Sequence, residues 1–379
     1  MSLLTYIFIL LIIIYLGSLL SYILGNLINN KKNNISHHLH PVSVIVAVKD
    51  GESSLNNLLK DLKSQTYEGQ MEFIIVDDQS CDKTKEIIKE LAKKDLRFIY
   101  ETSINGNENL FFKKRALDAG INRSKSDILL FTDVDCRLKP KWIESMASQF
   151  INDIDYVIGV SEISSPTNIV STFQKIDLLM MMTAGRAKTK LNEPIACTGQ
   201  NQGYKKHLYF DNGGFLKIND SIQGDDSLFM NLCKKNGAQI TFNDEKNSFV
   251  ESRKESLFNS FIKQRIRWAA DAKVMWKYNK KFFINLLSTF IANLTVISLP
   301  IIFLFSEEQN LKLIYIFILF KFFLELIVYS LGTIKLKTNF NLIHFVMWFT
   351  MNSPYVVLAG FGSFFSRFIV WKGQTKIIK

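Results

Sequence analysis

The chain is poor in the residues that staple small scaffolds together. Its four cysteines, Cys81, Cys136, Cys197 and Cys233, form no CxxC pair and keep no regular spacing. That excludes a zinc ribbon and a disulfide framework, and it fits reduced thiols in a cytosolic domain. GxGxxG is missing after the first apolar strand, where VAVKDGESS stands instead, which argues against a nicotinamide dehydrogenase. There is no internal repeat and no low-complexity stretch. Basic residues give a net charge of +11, yet they form no stripe interleaved with aromatics. Lys31, Lys32, Lys277, Lys280, Lys281, Lys335, Lys337, Lys372 and Lys376 sit beside hydrophobic runs instead. Charge placed this way reads as membrane-interfacial, with the basic side inside, and not as nucleic-acid binding.

Hydrophobic residues make up 47% of the chain and are unevenly spread. Residues 1–30 contain Leu3 to Leu27, an uncharged run with neither a basic start nor a small-residue cleavage site. This predicts a retained spanning helix, not a signal peptide. Lys31 and Lys32 then predict a cytoplasmic domain after it. Residues 31–40, KKNNISHHLH, read as a polar linker whose histidines are more simply solvated than metal-bound. An α/β domain is expected over 41–255 and an amphipathic interface helix over 256–281. The region 282–371 holds spans at Phe282 to Phe305 and Leu311 to Leu331. Its last apolar stretch, Phe340 to Trp371, has Pro354 at its middle and reads as one tilted span or a kinked hairpin. A basic tail, 372–379, closes the sequence, so the whole reads as a multi-pass protein of the cell membrane.

Within 41–255, β-branched runs alternate with amphipathic stretches. Strands are predicted at Val42 to Val48, Glu72 to Asp78, Arg97 to Glu101 and Asp127 to Asp135. Helices are predicted at Leu55 to Ser64, Asp82 to Lys93 and Lys113 to Ile121. That pattern is a Rossmann-like, mostly parallel sheet, whose ligands gather beyond the carboxyl ends of the strands. Further on come Trp142 to Phe150, Tyr156 to Val160, a Met-rich helix at Ile169 to Lys188, a glycine-rich region, Ser227 to Asn236, and a long helix from Ser256 to Trp276. The LLMMM run reads first as core packing.

Four motifs carry candidate chemistry. In VDDQS, Asp77 and Asp78 end a strand; a carboxylate there accepts a hydrogen bond from a pyrimidine N–H or caps the next helix. FTDVDCR sets Asp133 and Asp135 two residues apart, hence on one side of an extended strand, with oxygens suited to a ribose and a hard divalent ion. IQGDDSLF puts Asp225 and Asp226 at a helix start, as caps or as a general base. QRIRW offers the Gln264 amide, the forked Arg267 guanidinium and the Trp268 indole, for a substrate or for the membrane interface.

In this order, from about Val42 to Trp268, the motifs resemble glycosyltransferase family 2 of the GT-A fold. That family includes cellulose, chitin and hyaluronan synthases and hopanoid, ceramide and dolichol-phosphate glycosyltransferases; QxxRW is the most specific match. The resemblance implies that Asp78 contacts uracil and that Asp133 and Asp135 hold the nucleotide and Mg2+ or Mn2+. It implies Asp226 as base, ahead of Asp225. Lys113, in KKRAL, is expected at the donor, and Gly199, Asn201 and Tyr204, in TGQNQGYKK, on the sugar and acceptor side. Gln264, Arg267 and Trp268 are expected at the acceptor and diphosphate. Ala47 replaces the first-strand proline common in the family, so nucleotide contact there is expected through backbone groups. The implied activity is inverting transfer from a nucleotide-sugar, a UDP-sugar foremost, to a lipid or glycan acceptor at the cytoplasmic membrane face. A processive polysaccharide synthase and an inactive scaffold of the same fold are the alternatives.

Overall fold

The computed structural model describes residues 3–29, 39–221, 224–300 and 308–365. Lys31, Lys32, the linker histidines His37 and His38, and the basic tail lie outside the described residues. The chain forms two compact units, each built from separated segments. One comprises Asn30–Ser164 and Asn192–Arg253; the other comprises Met1–Asn29, Ser165–Leu191 and Lys254–Lys379.

The α/β unit is organised by a seven-stranded sheet of order β3-β2-β1-β4-β7-β5-β8. Its first half is parallel: β1 (Val42–Val48), β2 (Met71–Asp77), β3 (Phe98–Thr102) and β4 (Ile128–Phe131). Val42, Val44, Val46 and Val48 are wholly buried, as are Ile45 and Ser43 on the opposite face. Burial on both faces is what a strand covered by crossover helices requires, and it explains the unbroken β-branched run. The crossovers are α2 (Glu52–Lys63), α3 (Thr84–Lys94) and α4 (Phe112–Arg123). Strand order reverses between β1 and β4, which opens a crevice at their carboxyl ends.

The second half holds α5 (Trp142–Ala147), β5 (Ile154–Gly159), β7 (Gln202–Lys205), α7 (Lys206–Asp211), α8 (Ser227–Lys235) and β8 (Gln239–Asn243). β7 runs antiparallel between β4 and β5. A two-stranded sheet of β6 (Ser161–Glu162) and β9 (Val250–Glu251) completes the unit.

Among the described residues, four helices of the other unit are long and apolar enough to cross a membrane: α1 (Leu3–Leu27), α11 (Lys280–Ile297), α12 (Glu308–Lys335) and α13 (Leu342–Phe364). α13 runs through Pro354 as one helix as far as the described residues extend. The long helix expected from Ser256 to Trp276 is two, α9 (Phe258–Ala269) and α10 (Ala272–Tyr278). The Met-rich segment is α6 (Ile169–Lys190), and it belongs to this unit. Phe173, Ile176 and Met180 of α6 pack in one cluster with Tyr15 and Leu19 of α1, Phe317 of α12 and Trp348 of α13.

Candidate active site

The loops after β1 and β2 are stitched to each other at the sheet's carboxyl edge. Asp50 N donates to Ser80 Oγ (2.9 Å), Cys81 N to Asp50 Oδ1 (2.8 Å), and Gly51 N to Thr84 Oγ1 (2.9 Å). Lys49 Nζ donates to the carbonyls of Asp78 (3.1 Å) and Gln79 (2.9 Å). Asp50 and Gln79 have positive φ, +47° and +56°. Non-glycine residues held there mark a segment that the surroundings over-determine, a frequent property of ligand clamps. Burial works upward on the Asp82 carboxyl, but hydrogen bonds from Thr84 and Glu52 outweigh it and hold the group below the usual carboxylate range.

These bonds separate the roles of the paired acids. Asp77 Oδ1 accepts from Ser80 N (3.0 Å), and Asp82 Oδ1 from Thr84 N (3.0 Å), so the turn and the start of α3 are served by those two. Asp78 is tied by its backbone N to Val48 O (2.7 Å), while its buried Oδ2 has no hydrogen-bond partner among the described residues. Ala47, one position before the end of β1, is partly exposed on the same edge.

DxD does not lie on a strand as its spacing suggests. β4 ends at Phe131, and Asp133 to Cys136 form a turn closed by Cys136 N on Asp133 O (3.1 Å). Turn geometry replaces strand alternation. Even so, Asp133 and Asp135 are partly exposed while Val134 and Cys136 are buried. Burial, with Asp133 and Asp135 adding to it, pushes the Cys136 thiol well above its ordinary pKa. Arg137 fixes the exit of the turn through a two-pronged contact with Asp61 (2.6 and 2.8 Å).

Lys113, in the first turn of α4, joins DxD to the second acid pair. Its Nζ lies 2.8 Å from Asp133 Oδ1 and 3.1 Å from Asp225 Oδ2. Burial lowers its pKa, but Asp133, Asp225 and Asp226 more than reverse that, so the ammonium stays charged. Gly224, with φ +92°, turns the chain into Asp225 and Asp226. Asp226 caps α8 by accepting from Ser227 N, and its Oδ2 accepts from Gly199 N (3.0 Å). A Cβ on Gly199 would come within 2.9 Å of Lys113 Nζ and 3.2 Å of Asp225 Oδ2. Segments far apart in sequence therefore converge: Lys113, Asp133, Gly199, Asp225 and Asp226 form one cluster.

Asn201 and Tyr204 are not on an open surface. Asn201 is fully buried; its amide donates to Val160 O and Ser248 O (both 2.8 Å), and Oδ1 accepts from Trp142 Nε1 (3.0 Å). Tyr204 is also fully buried, stacked on Phe131 and Tyr156 with centroids 4.7 and 5.3 Å apart. Both stand on or beside β7, in the sheet interior. Gln264, Arg267 and Trp268 lie on α9, in the helical unit.

Sequence reasoning passed over Lys114. It is 1% exposed, and its Nζ donates to Ile218 O (2.8 Å) and Ser221 O (2.6 Å), anchoring the segment that leads to Gly224. The signal available was the second lysine of KKRAL, placed on the buried face of α4.

Among the described residues no three His, Cys, Asp or Glu side chains group as a metal site. A hard divalent ion serving a diphosphate needs only one or two protein carboxylates, the rest coming from phosphate and water. Asp133 and Asp135 supply oxygen donors of that kind at a partly exposed turn, so the residues fit such an ion.

Residues 43–210 match the Glycosyl transferase family 2 profile. This segment is a glycosyl transferase family 2 domain. Its similarity to 4,4'-diaponeurosporenoate glycosyltransferase of Staphylococcus haemolyticus is 33% identity over 127 residues, covering 31% of this chain and 32% of that protein. To glycosyltransferase AglE of Haloferax volcanii it is 29% over 205 residues, covering 53% and 64%. The chain thus spans less than two thirds of the length of these relatives. Among solved structures, the mannosyltransferase PcManGT of Pyrobaculum calidifontis, in complex with GDP-Man and Mn2+, superposes with a TM-score of 0.65 at 16% identity, over 96% of this chain and 100% of that one. The family 2 domain therefore has the GT-A fold.

Proposed function

We propose that the protein is a metal-dependent, inverting glycosyltransferase that moves a sugar from a UDP-sugar to a lipid or lipid-linked acceptor at the cytoplasmic membrane face. The observation that carries the reading is the cluster of Lys113, Asp133, Asp225 and Asp226 beside Gly199, in a family 2 domain.

Asp78 binds the base. Its orphaned, buried Oδ2 is an acceptor waiting for an N–H donor, which the uracil ring supplies. Asp133 and Asp135 hold the ribose and a Mg2+ or Mn2+ ion, and Lys113 meets the donor diphosphate. When bound, the ion supplies positive charge that stabilises the departing nucleoside diphosphate. Asp226 is the general base. Asp225 is 6% exposed and ion-paired to Lys113, which leaves the partly exposed Asp226 as the carboxylate within reach of an acceptor. The N–H groups of Ser227 and Gly199 donate to Asp226 and orient its carboxylate. It takes the acceptor hydroxyl proton as the new C–O bond forms on the anomeric carbon and the bond to phosphate breaks on the opposite face. Arg267 contributes charge to the diphosphate and Trp268 an apolar face to the sugar. An amphiphilic acceptor is supported by the four candidate spans.

Membranes from cells expressing the protein, given a panel of UDP- and GDP-sugars with Mn2+ and with chelator, test this through released nucleotide and product length. We expect one UDP-sugar to turn over only with the metal, giving a product one sugar longer. Asp135→Ala and Asp226→Ala should abolish transfer; full activity in both would end the assignment. Cys136→Ala should be tolerated, because its thiol is buried and held protonated.

A further inference from the structure

The Trp268 indole has a neighbour that the QxxRW motif leaves unspecified. Arg265, inside the motif, is buried, with its guanidinium carbon 4.2 Å from the Trp268 ring centroid and 5.0 Å from that of Phe261. Trp268 itself is only partly buried. A cation against one face of an indole fixes the plane of the ring and leaves the other face for a ligand.

Arg265 is in turn held from another helix. Its Nη2 lies 2.9 Å from Asp177 Oδ2, and the two side chains are 2% and 7% exposed. Among the described residues the Arg265 nitrogens have no hydrogen-bond partner, so the contact with Asp177 is an ion pair in which the guanidinium remains laid against the aromatic rings. Tyr355 of α13 donates to the same Asp177 oxygen (3.4 Å). Its ring packs on Phe173 and Phe261, with centroids 5.3 and 5.5 Å away. Helices α6, α9 and α13 therefore meet at one carboxylate. A buried ion pair is a poor source of net stability, whereas it specifies a single arrangement well.

We propose that Asp177 and Arg265 are a positioning pair for Trp268: Asp177 aims Arg265, and Arg265 sets the plane of the indole that receives the sugar. This deepens the transfer reading above and rests on it for the role of Trp268. Neither residue is a catalytic one.

The full-length protein in detergent, labelled with 5-fluorotryptophan, gives a readout independent of turnover, with the Trp268 resonance assigned by Trp268→Phe. Asp177→Asn is expected to shift or broaden that resonance and to lower transfer by about tenfold, an effect of transition-state positioning. Should Asp177→Asn fail to fold, the double variant Asp177→Asn with Arg265→Met replaces it, since removing both charges leaves no buried ion alone. The double variant is expected to keep Mn2+-dependent UDP binding and wild-type thermal stability within error, and to lose transfer to the level of Trp268→Ala. Adding Trp268→Ala to it should cost nothing further. An unmoved Trp268 resonance, or transfer within twofold of wild type in the folded double variant, overturns the pairing. A wild-type protein that moves no sugar while the resonance still shifts refutes the proposed function, not the pair.

Discussion

A lysine in the first turn of a helix opposes the helix dipole, and burial opposes its charge as well. Lys113 bears both costs, and Asp133, Asp225 and Asp226 offset them. Removing the ammonium takes that counter-charge away from these carboxylates, so Lys113→Met should lower metal-dependent nucleotide release by about a hundredfold, the scale for losing one charged donor at a developing anion. Asp78 poses the opposite case. Its unpartnered buried oxygen costs on the order of 1–3 kcal/mol in the free protein. Asp78→Ala removes that cost, and the melting temperature without ligand should stay level or rise. The KM for the donor should increase at least tenfold with kcat little changed, because base contact is binding shared by ground and transition states. A fall in melting temperature with an unchanged KM would make Asp78 a framework residue.

Element by element, the parallel half of the α/β unit was legible because its strands are buried on both faces and their crossover helices are amphipathic. β1 runs over Val42–Val48 as the apolar run implies, and β2 ends at Asp77, one residue short of expectation. β4 was overextended: DILLFTDVD continues apolar alternation past Phe131, while the chain turns at Asp133 through a backbone bond that no side-chain pattern announces. β7 was missed, since Gly203 and polar Gln202 hide a strand whose only strong signal is Tyr204. Gly203 is needed there because a Cβ would meet Leu130 Cδ2 at 2.5 Å. The turn into α8 has a similar requirement. At φ +92°, with a Cβ 2.4 Å from Leu228 Cδ1, Gly224→Ala should cost about 1–2 kcal/mol in backbone strain, plus the displacement of Leu228. Because Asp225 and Asp226 follow directly, activity should fall further than stability; comparing the melting temperature with the transfer rate of the variant checks this.

At the scale of the whole chain, the partition into two interleaved units was the least legible feature. The terminal spans declare themselves by long uncharged runs. α6 does not, because Lys175, Asp177, Arg186, Lys188 and Lys190 break its apolar content, and a helix between β6 and β7 reads as one more layer on the sheet. Its partners lie instead in α1, α12 and α13. Gly25 of α1 approaches so closely that a Cβ would stand 2.3 Å from Ala187 O, and Gly332 of α12 would stand 2.2 Å from Thr183 Oγ1. Trimming the termini therefore cannot release the α/β unit cleanly. A fragment of residues 39–253 retains α6 without its partners, baring Phe173, Ile176 and Met180, and side chains of this size contribute about 1.5–3 kcal/mol each when buried. That fragment should aggregate or require detergent on size-exclusion chromatography. The same fragment with residues 165–191 replaced by a flexible Gly/Ser linker should elute as a monomer and still bind UDP with Mn2+, since Asp78, Lys113, Asp133, Asp135, Gly199, Asp225 and Asp226 all belong to the retained unit. Calorimetric UDP binding by the linker fragment, lost on Asp135→Ala, would show that these residues of the α/β unit suffice to bind the nucleotide. A monomeric linker fragment that binds no nucleotide would overturn nucleotide recognition by these residues.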